Sequence, residues 1–315
     1  MYLWEEADYI SFRGLQVYTY GLACALGAAV MMALLAYLAR RKKLAQGAAV
    51  LTGVCAMVLG AFFSKLFFAL FSFNVDAPFL GKMHPALFSG GGYSMFGALC
   101  GGFVGAFLAG KILKEKVLGY LDVFAAASLG FVFFARLGEM LYPEFAGFGV
   151  SRPLIYEFTA AWPIAVSDGT ESYLATYLLE AFAALVLLVI LLLDLGKQNR
   201  AGNTFVLFLL LFGAFQIILE SLRYDRHMSY SFVRMQQVLS ILTLLGGLLL
   251  ASWRGKKSHG RMWLLAGMML LISGIGVGLE FAIDRTEINR YVLYAVYVLV
   301  VAAPMYLGIR LRKEA

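Results

Sequence analysis

The sequence predicts an all-α, polytopic membrane protein of about nine transmembrane helices, with its N-terminus outside and its C-terminus in the cytoplasm. Three observations carry that prediction. Of 315 residues, 62% are apolar and only 14% charged, whereas a soluble domain carries about 25% charged residues. The apolar residues gather into runs near the roughly 20 residues that a helix needs to cross a bilayer. Lys and Arg are distributed unequally between alternate connections, as the positive-inside rule requires. A disulfide-stapled secreted fold is excluded, because the chain has 3 Cys and all lie inside apolar runs.

The expected spans are 16–38, 47–72, 91–110, 117–141, 173–193, 203–223, 236–253, 262–283 and 291–309. They are too long for membrane strands and lack the polar alternation of a barrel. Met1 to Gln16 carries Glu5, Glu6 and Asp8. A signal peptide would begin basic, so the first span is expected to be retained. In the third span Gly97, Gly101 and Gly105 recur every four residues, a spacing that lets helix backbones approach closely. A packing seam is the expected use, with approach to a lipid chain as the alternative. The outer loop 142–172, with Arg152, Trp162 and Asp168, is long enough either to gate a cavity or to be a plain solvated connection.

Orientation follows from the basic residues. One side holds Arg40, Arg41, Lys42, Lys43, Lys111, Lys114, Lys116, Lys197, Arg200, Arg254, Lys256, Lys257, Arg261, Arg310, Arg312 and Lys313. The other side holds half as many: Arg13, Lys82, Arg152, Arg223, Arg226, Arg234, Arg285 and Arg290. The richer side is cytoplasmic. The net charge of +7 is then explained by loops that face anionic lipid, and it implies no nucleic-acid partner.

The informative charges are those inside the spans, where each is costly and therefore a functional candidate. Lys65, Arg136, Glu139, Glu180, Gln216, Glu220, Arg223 and Tyr20 all fall toward the outer ends of their helices. Gln216, Glu220 and Arg223 are spaced four and three apart and share a face. Simpler uses exist for several of them: a Glu220–Arg223 ion pair, snorkelling for Lys65, an aromatic belt for Tyr20. Their convergence predicts a polar cavity open to the outer leaflet. Arginine binds phosphate oxygens in a fork, so the expected ligand is a phospholipid head group. Cys24, Cys55 and Cys100 are read as packing residues. The His residues at 84, 227 and 259 are scattered, so neither a metal site nor a cofactor is expected.

Across residues 16–253 the sequence resembles the prolipoprotein diacylglyceryl transferase family. Tyr20-Gly21-Leu22 resembles the family's Tyr-Gly-Leu. Gly91-Gly92-Tyr93-Ser94-Met95-Phe96-Gly97-Ala98-Leu99 resembles its Gly-Gly-x-Ser-Phe-His-Gly-Gly-Leu. Asp122 resembles the Asp that opens the fourth span. Arg136-Leu137-Gly138-Glu139, with Glu144 and Gly147, is similar to the signature Gly-Arg-x-Gly-Asn-Phe-x-Asn-x-Glu-x-x-Gly. Glu180 falls where the Glu of Pro-Ser-Gln-Leu-Tyr-Glu lies, Glu220 and Arg223 match Arg-x-x-x-Glu-x-x-Arg, and Gln236-Gln237-Val238-Leu239-Ser240 resembles Gly-Gln-Ile-Leu-Ser. The chain departs from the pattern at Phe96, where the family has His, and at Gln216, where it has Arg. It departs again at Glu139 and Tyr142, where it has Asn, and at Lys65, where it has Arg.

The resemblance implies a seven-span family domain, 1–253, followed by two additional helices and a cytoplasmic tail, 254–315. It implies transfer of a diacylglyceryl group from phosphatidylglycerol, or another anionic phospholipid, to the lipobox cysteine of a prolipoprotein in the bacterial cytoplasmic membrane. Arg136 is expected to hold the phosphate with Arg223 or Lys65, and Tyr20 and Ser94 to donate to the head group. Gly97, Glu180 and Gln216 complete the expected lipid site. With Phe96 replacing the His, Glu144, Glu139 and Glu220 are the expected bases, with His227 as a substitute. Two alternatives stay open: a lipid-binding protein without turnover, and a transferase with a different donor or acceptor.

Overall fold

The computed structural model describes residues 9–12, 15–71, 92–141, 165–167, 172–197, 200–223, 228–230, 233–255, 259–286 and 288–314. Among them are nine helices long and apolar enough to cross a membrane. They are α1 (Thr19–Arg41), α2 (Gln46–Phe71), α3 (Met95–Ile112), α4 (Val117–Gly138), α5 (Thr176–Gly196), α6 (Asn203–Leu222), α7 (Met235–Arg254), α8 (His259–Arg285) and α9 (Arg290–Lys313). The chain is an all-α, multi-pass membrane protein. β structure among the described residues is confined to strands of at most four residues, including the antiparallel hairpins β1 (Tyr9–Phe12) with β2 (Leu15–Tyr18) and β3 (Ala165–Ser167) with β4 (Ser172–Leu174).

The helices divide into two compact units, one made of Met1–Gly202 with Leu222–Tyr230, the other of Asn203–Ser221 with Ser231–Ala315. In the first unit α4 is central and packs on α1, α3 and α5. Its apolar stretch is 67% buried within the protein, against 17% for α8, so α4 is a core helix and α8 is largely uncovered by the described residues. The closest pairing is α2 with α3, and the glycine spacing explains it. A Cβ on Gly105 would lie 2.7 Å from the Ala56 nitrogen, and those on Gly97 and Gly101 would meet the carbonyls of Phe63 and Leu59. The stripe is a packing seam, filled by the α2 backbone.

The second unit is built on an apolar core that includes Leu210, Ala214, Leu244, Leu248, Met269 and Tyr297. Gly213 lets α7 approach, since a Cβ there would stand 2.7 Å from the Leu244 nitrogen. At one end Asn203 gathers two arginines: its Oδ1 accepts from Arg254 Nη2 at 3.1 Å and its carbonyl from Arg312 Nη1 at 3.2 Å.

Helix bounds differ from the expected spans where local bonding outweighs hydropathy. The first span begins at Thr19 rather than 16, because Gln16 to Tyr18 pair with Ser11 to Tyr9. The third begins at Met95, capped by Ser94, whose Oγ accepts from Gly97 N at 3.2 Å. The fourth leaves α geometry after Gly138 and continues as one 3-10 turn, Glu139–Leu141. The loop 142–164, with Tyr142, Glu144, Gly147, Arg152 and Trp162, lies outside the described residues, as do Asp168, Gly91, His84 and His227.

Candidate active site

The outer end of α4 and the first turns of α5 define the site in the first unit. Arg136, in the last turn of α4, donates through Nη1 to Glu139 Oε1. The change to a 3-10 turn follows that pair directly, so helix geometry and ion pairing meet at one point. Across from it, Glu180 lies one turn into α5 and is 1% exposed. Its Oε2 stands 2.5 Å from Arg136 Nε, and its Oε1 accepts from Arg223 Nη1 at 2.9 Å. Arg223 is 3% exposed and immediately follows α6.

Two guanidinium groups and two carboxylates thus form a formally neutral, buried quartet. A buried charge needs partners, and removing one member of such a pair costs about 3–5 kcal/mol. Glu180 joins both arginines and is the keystone. Glu139 touches one of them, sits at the helix end, and is 8% exposed. It has one ionic contact in the quartet where Glu180 has two. Gly138 brings α1 up to the same place, since a Cβ there would meet Ala23 and the Tyr20 ring, and Tyr20 hydrogen-bonds the Cys24 thiol.

Other expected residues lie elsewhere in the structure. Ser94 is wholly buried and tied to α2: its carbonyl accepts from Ser64 Oγ at 2.8 Å, and its N–H donates to the Ser64 carbonyl at 3.1 Å. Gly97 faces the backbone of Phe63 and Ser64. The Lys65 ammonium stands 4.1 Å from the centre of the Tyr93 ring, a cation–π contact. Asp122 accepts from Gly202 N at 2.6 Å, anchoring a turn whose φ of 86° requires glycine. Gln216 and Glu220 are buried in the second unit, 3% and 2% exposed. Glu144 lies outside the described residues.

Two features escaped the sequence reading. Ser64 was hidden by its neighbour Lys65, although a Ser in an apolar helix needs a partner by the same rule that singles out charges. Glu280 in α8 is an intramembrane carboxylate that the same rule identifies; its partners are described below.

A family model described as prolipoprotein diacylglyceryl transferase matches residues 8–253, more than half of the chain. The chain belongs to the prolipoprotein diacylglyceryl transferase family. Among its relatives, the phosphatidylglycerol–prolipoprotein diacylglyceryl transferase of Clostridium novyi is 26% identical over 201 residues, covering 62% of this chain and 76% of that protein. The protein of the same name from Clostridioides difficile is 23% identical over 260 residues, covering 81% of this chain and 98% of that protein. That from Staphylococcus haemolyticus is 25% identical over 212 residues, covering 67% and 74%. The family match ends at residue 253, within α7, so α8 and α9 lie beyond it.

Proposed function

We propose that this protein transfers the diacylglyceryl group of phosphatidylglycerol to the lipobox cysteine thiol of a prolipoprotein. The thiol sulfur forms a C–S bond to the glyceryl carbon, the C–O bond to phosphate breaks, glycerol phosphate leaves with the electron pair, and the thiol proton passes to a base. The observation that carries this reading is the buried Arg136–Glu180–Arg223 bridge, set within a chain whose family match spans its first seven helices.

The quartet supports a division of roles. Arg136 and Arg223 stabilise negative charge on the departing phosphate, an effect strongest where water is excluded. Glu180 keeps both arginines in place and is too enclosed to exchange. Glu139 is the carboxylate that the lipid phosphate displaces from Arg136. Once released, Glu139 stands beside the arriving thiol and takes its proton, since the thiolate is the nucleophile. This supplies a base in a chain that has Phe96 at the family's His position. Tyr20, packed against Gly138 at the end of α4, belongs to the surrounding lipid site. Glu220 and Glu144 remain secondary candidates for proton transfer.

The protein would stand in the bacterial cytoplasmic membrane with its N-terminus outside and its C-terminus in the cytoplasm. The basic residues that end α1, α3, α7 and α9 outnumber Arg136 and Arg285 at the ends of α4 and α8, which supports that orientation by the positive-inside rule. The division into a family domain, 1–253, and an added helix pair, 254–315, belongs to the same proposal. Purified full-length protein in phosphatidylglycerol vesicles, given a lipobox peptide, should add one diacylglyceryl mass to the cysteine and release equimolar glycerol phosphate. Absence of the thioether at every pH would overturn the transferase reading.

A further inference from the structure

Glu280 lies in α8, about 7 Å along the axis from its Arg285 end. A carboxylate at that place in an apolar helix needs donors. It has two, both from the second unit: Gln237 Nε2 donates to Glu280 Oε1 at 2.8 Å, and Tyr297 of α9 hydrogen-bonds the Glu280 side chain. Gln237 Nε2 also donates to the Tyr297 hydroxyl at 2.8 Å. An amide nitrogen carries two hydrogens. Three acceptors share them, so one hydrogen is bifurcated and also reaches the Ile217 carbonyl of α6, at 3.4 Å. The phenol accepts from the amide and gives its own proton to the carboxylate, so the ring of bonds closes.

A second tie comes from the same helix pair. Tyr294 of α9 donates to the Ser221 carbonyl at 3.1 Å. Ser221 is in the last turn of α6, where carbonyls have no partner within the helix. Both ties therefore converge on one stretch, residues 216–222, which carries Gln216 and Glu220. Their source is a pair of helices beyond the family match.

We propose that α8 and α9 serve as a built-in brace for the α6 terminus, with Glu280, Tyr294 and Tyr297 as positioning residues. Glu280 orients the Gln237 amide against α6, and Tyr294 closes the last turn. The brace acts by hydrogen bonding and not through the charge of Glu280. For its effect on turnover the inference rests on the transferase reading; for its effect on α6 it does not.

Two measurements on full-length protein in nanodiscs test it. In the first, amide hydrogen exchange across residues 216–223 should quicken by tenfold or more in Glu280→Leu and Tyr294→Phe, with α3 and α4 unchanged. Equal exchange in variants and parent would overturn the brace, whether or not the parent turns over. In the second, kcat for thioether formation should fall about tenfold in Glu280→Leu with KM for the peptide within twofold, and Glu280→Gln should recover at least a third of it. A Gln carbonyl still accepts from Gln237. An equal loss in Glu280→Gln and Glu280→Leu would show that charge is needed and overturn the hydrogen-bonding role. A parent without turnover would reject the transferase reading alone, and the exchange result would still decide the brace.

Discussion

The two units each hold a polar cluster in an apolar surround, buried in the first and half-buried at Gln237 and Glu280 in the second, and they do so by opposite means. In the first, Arg136, Arg223, Glu139 and Glu180 are ionic and balanced two against two, with Glu180 shared between both cations. In the second, one carboxylate, Glu280, is met by an amide and a phenol, neither charged. Ionic partners bind each other strongly, yet any of them can be exchanged for another ion of the same sign. Dipolar partners offer nothing for a phosphate to displace. The ionic cluster is therefore suited to binding an anion, and the dipolar one to holding helices in register. This difference also explains why a buried charge is a weak sign of stability and a better sign of a site.

Breaking the ionic cluster should give the largest effects. Arg136→Ala removes the phosphate ligand and leaves Glu180 with a single cation. Thioether formation should fall at least a hundredfold, in keeping with the roughly 10²–10³ cost of losing one charge-stabilising donor. Arg136→Lys should recover little of it, because an ammonium cannot reach Glu139 and Glu180 as a fork does. Glu180→Gln removes the shared anion and leaves two buried arginines facing each other. It should lower the unfolding temperature in detergent and raise the Km for phosphatidylglycerol, with the folded yield as the first readout.

Next in size is the packing seam, which carries no charge at all. Gly105→Val would drive a branched side chain into the α2 backbone at Ala56, where overpacking costs about 1–3 kcal/mol. Its expected signature is a lower melting temperature with kcat little changed in the protein that remains folded. Gly267→Val, in α8 where nothing lies within 4 Å of the added Cβ, is the matched comparison and should not lower the melting temperature.

The smallest effect belongs to the dipolar cluster. Tyr297→Phe removes one hydroxyl, and one neutral hydrogen bond contributes about 0.5–1.5 kcal/mol. A fall in turnover of a few fold is expected, against a hundredfold for Arg136→Ala. A larger loss from Tyr297→Phe would reverse the ranking of the two clusters.

How much of this could be read from the sequence varies with the physics involved. Hydropathy and length suffice for the nine helices among the described residues, because the bilayer sets a minimum span. Their ends depend on short-range bonds that hydropathy does not register, such as the β1–β2 pairing that delays α1 to Thr19 and the Ser94 cap that starts α3 at Met95. The polar residues of the site were legible because each is anomalous in its helix. Their pairing was not. Glu220 and Arg223 share a helical face by spacing, but nothing in that spacing points to Glu180, 43 positions away, which accepts from Arg223. A long-range ion pair leaves no periodicity for a single sequence to display. Glu139 likewise marked a departure from the family's Asn, but only the structure places it on Arg136.

The central claim is that the lipid phosphate takes the place of Glu139 on Arg136 and that the freed carboxylate accepts the thiol proton. Glu139→Gln tests both halves in one protein, with phosphatidylglycerol affinity and single-turnover thioether formation measured side by side. A neutral amide competes less for the guanidinium and cannot take the proton. The account predicts phosphatidylglycerol binding as tight as in the parent or tighter, with the chemical step slowed by about 10²–10⁴-fold, the range that general-base catalysis spans. A Glu139→Gln protein that forms thioether at the parent's rate would contradict it.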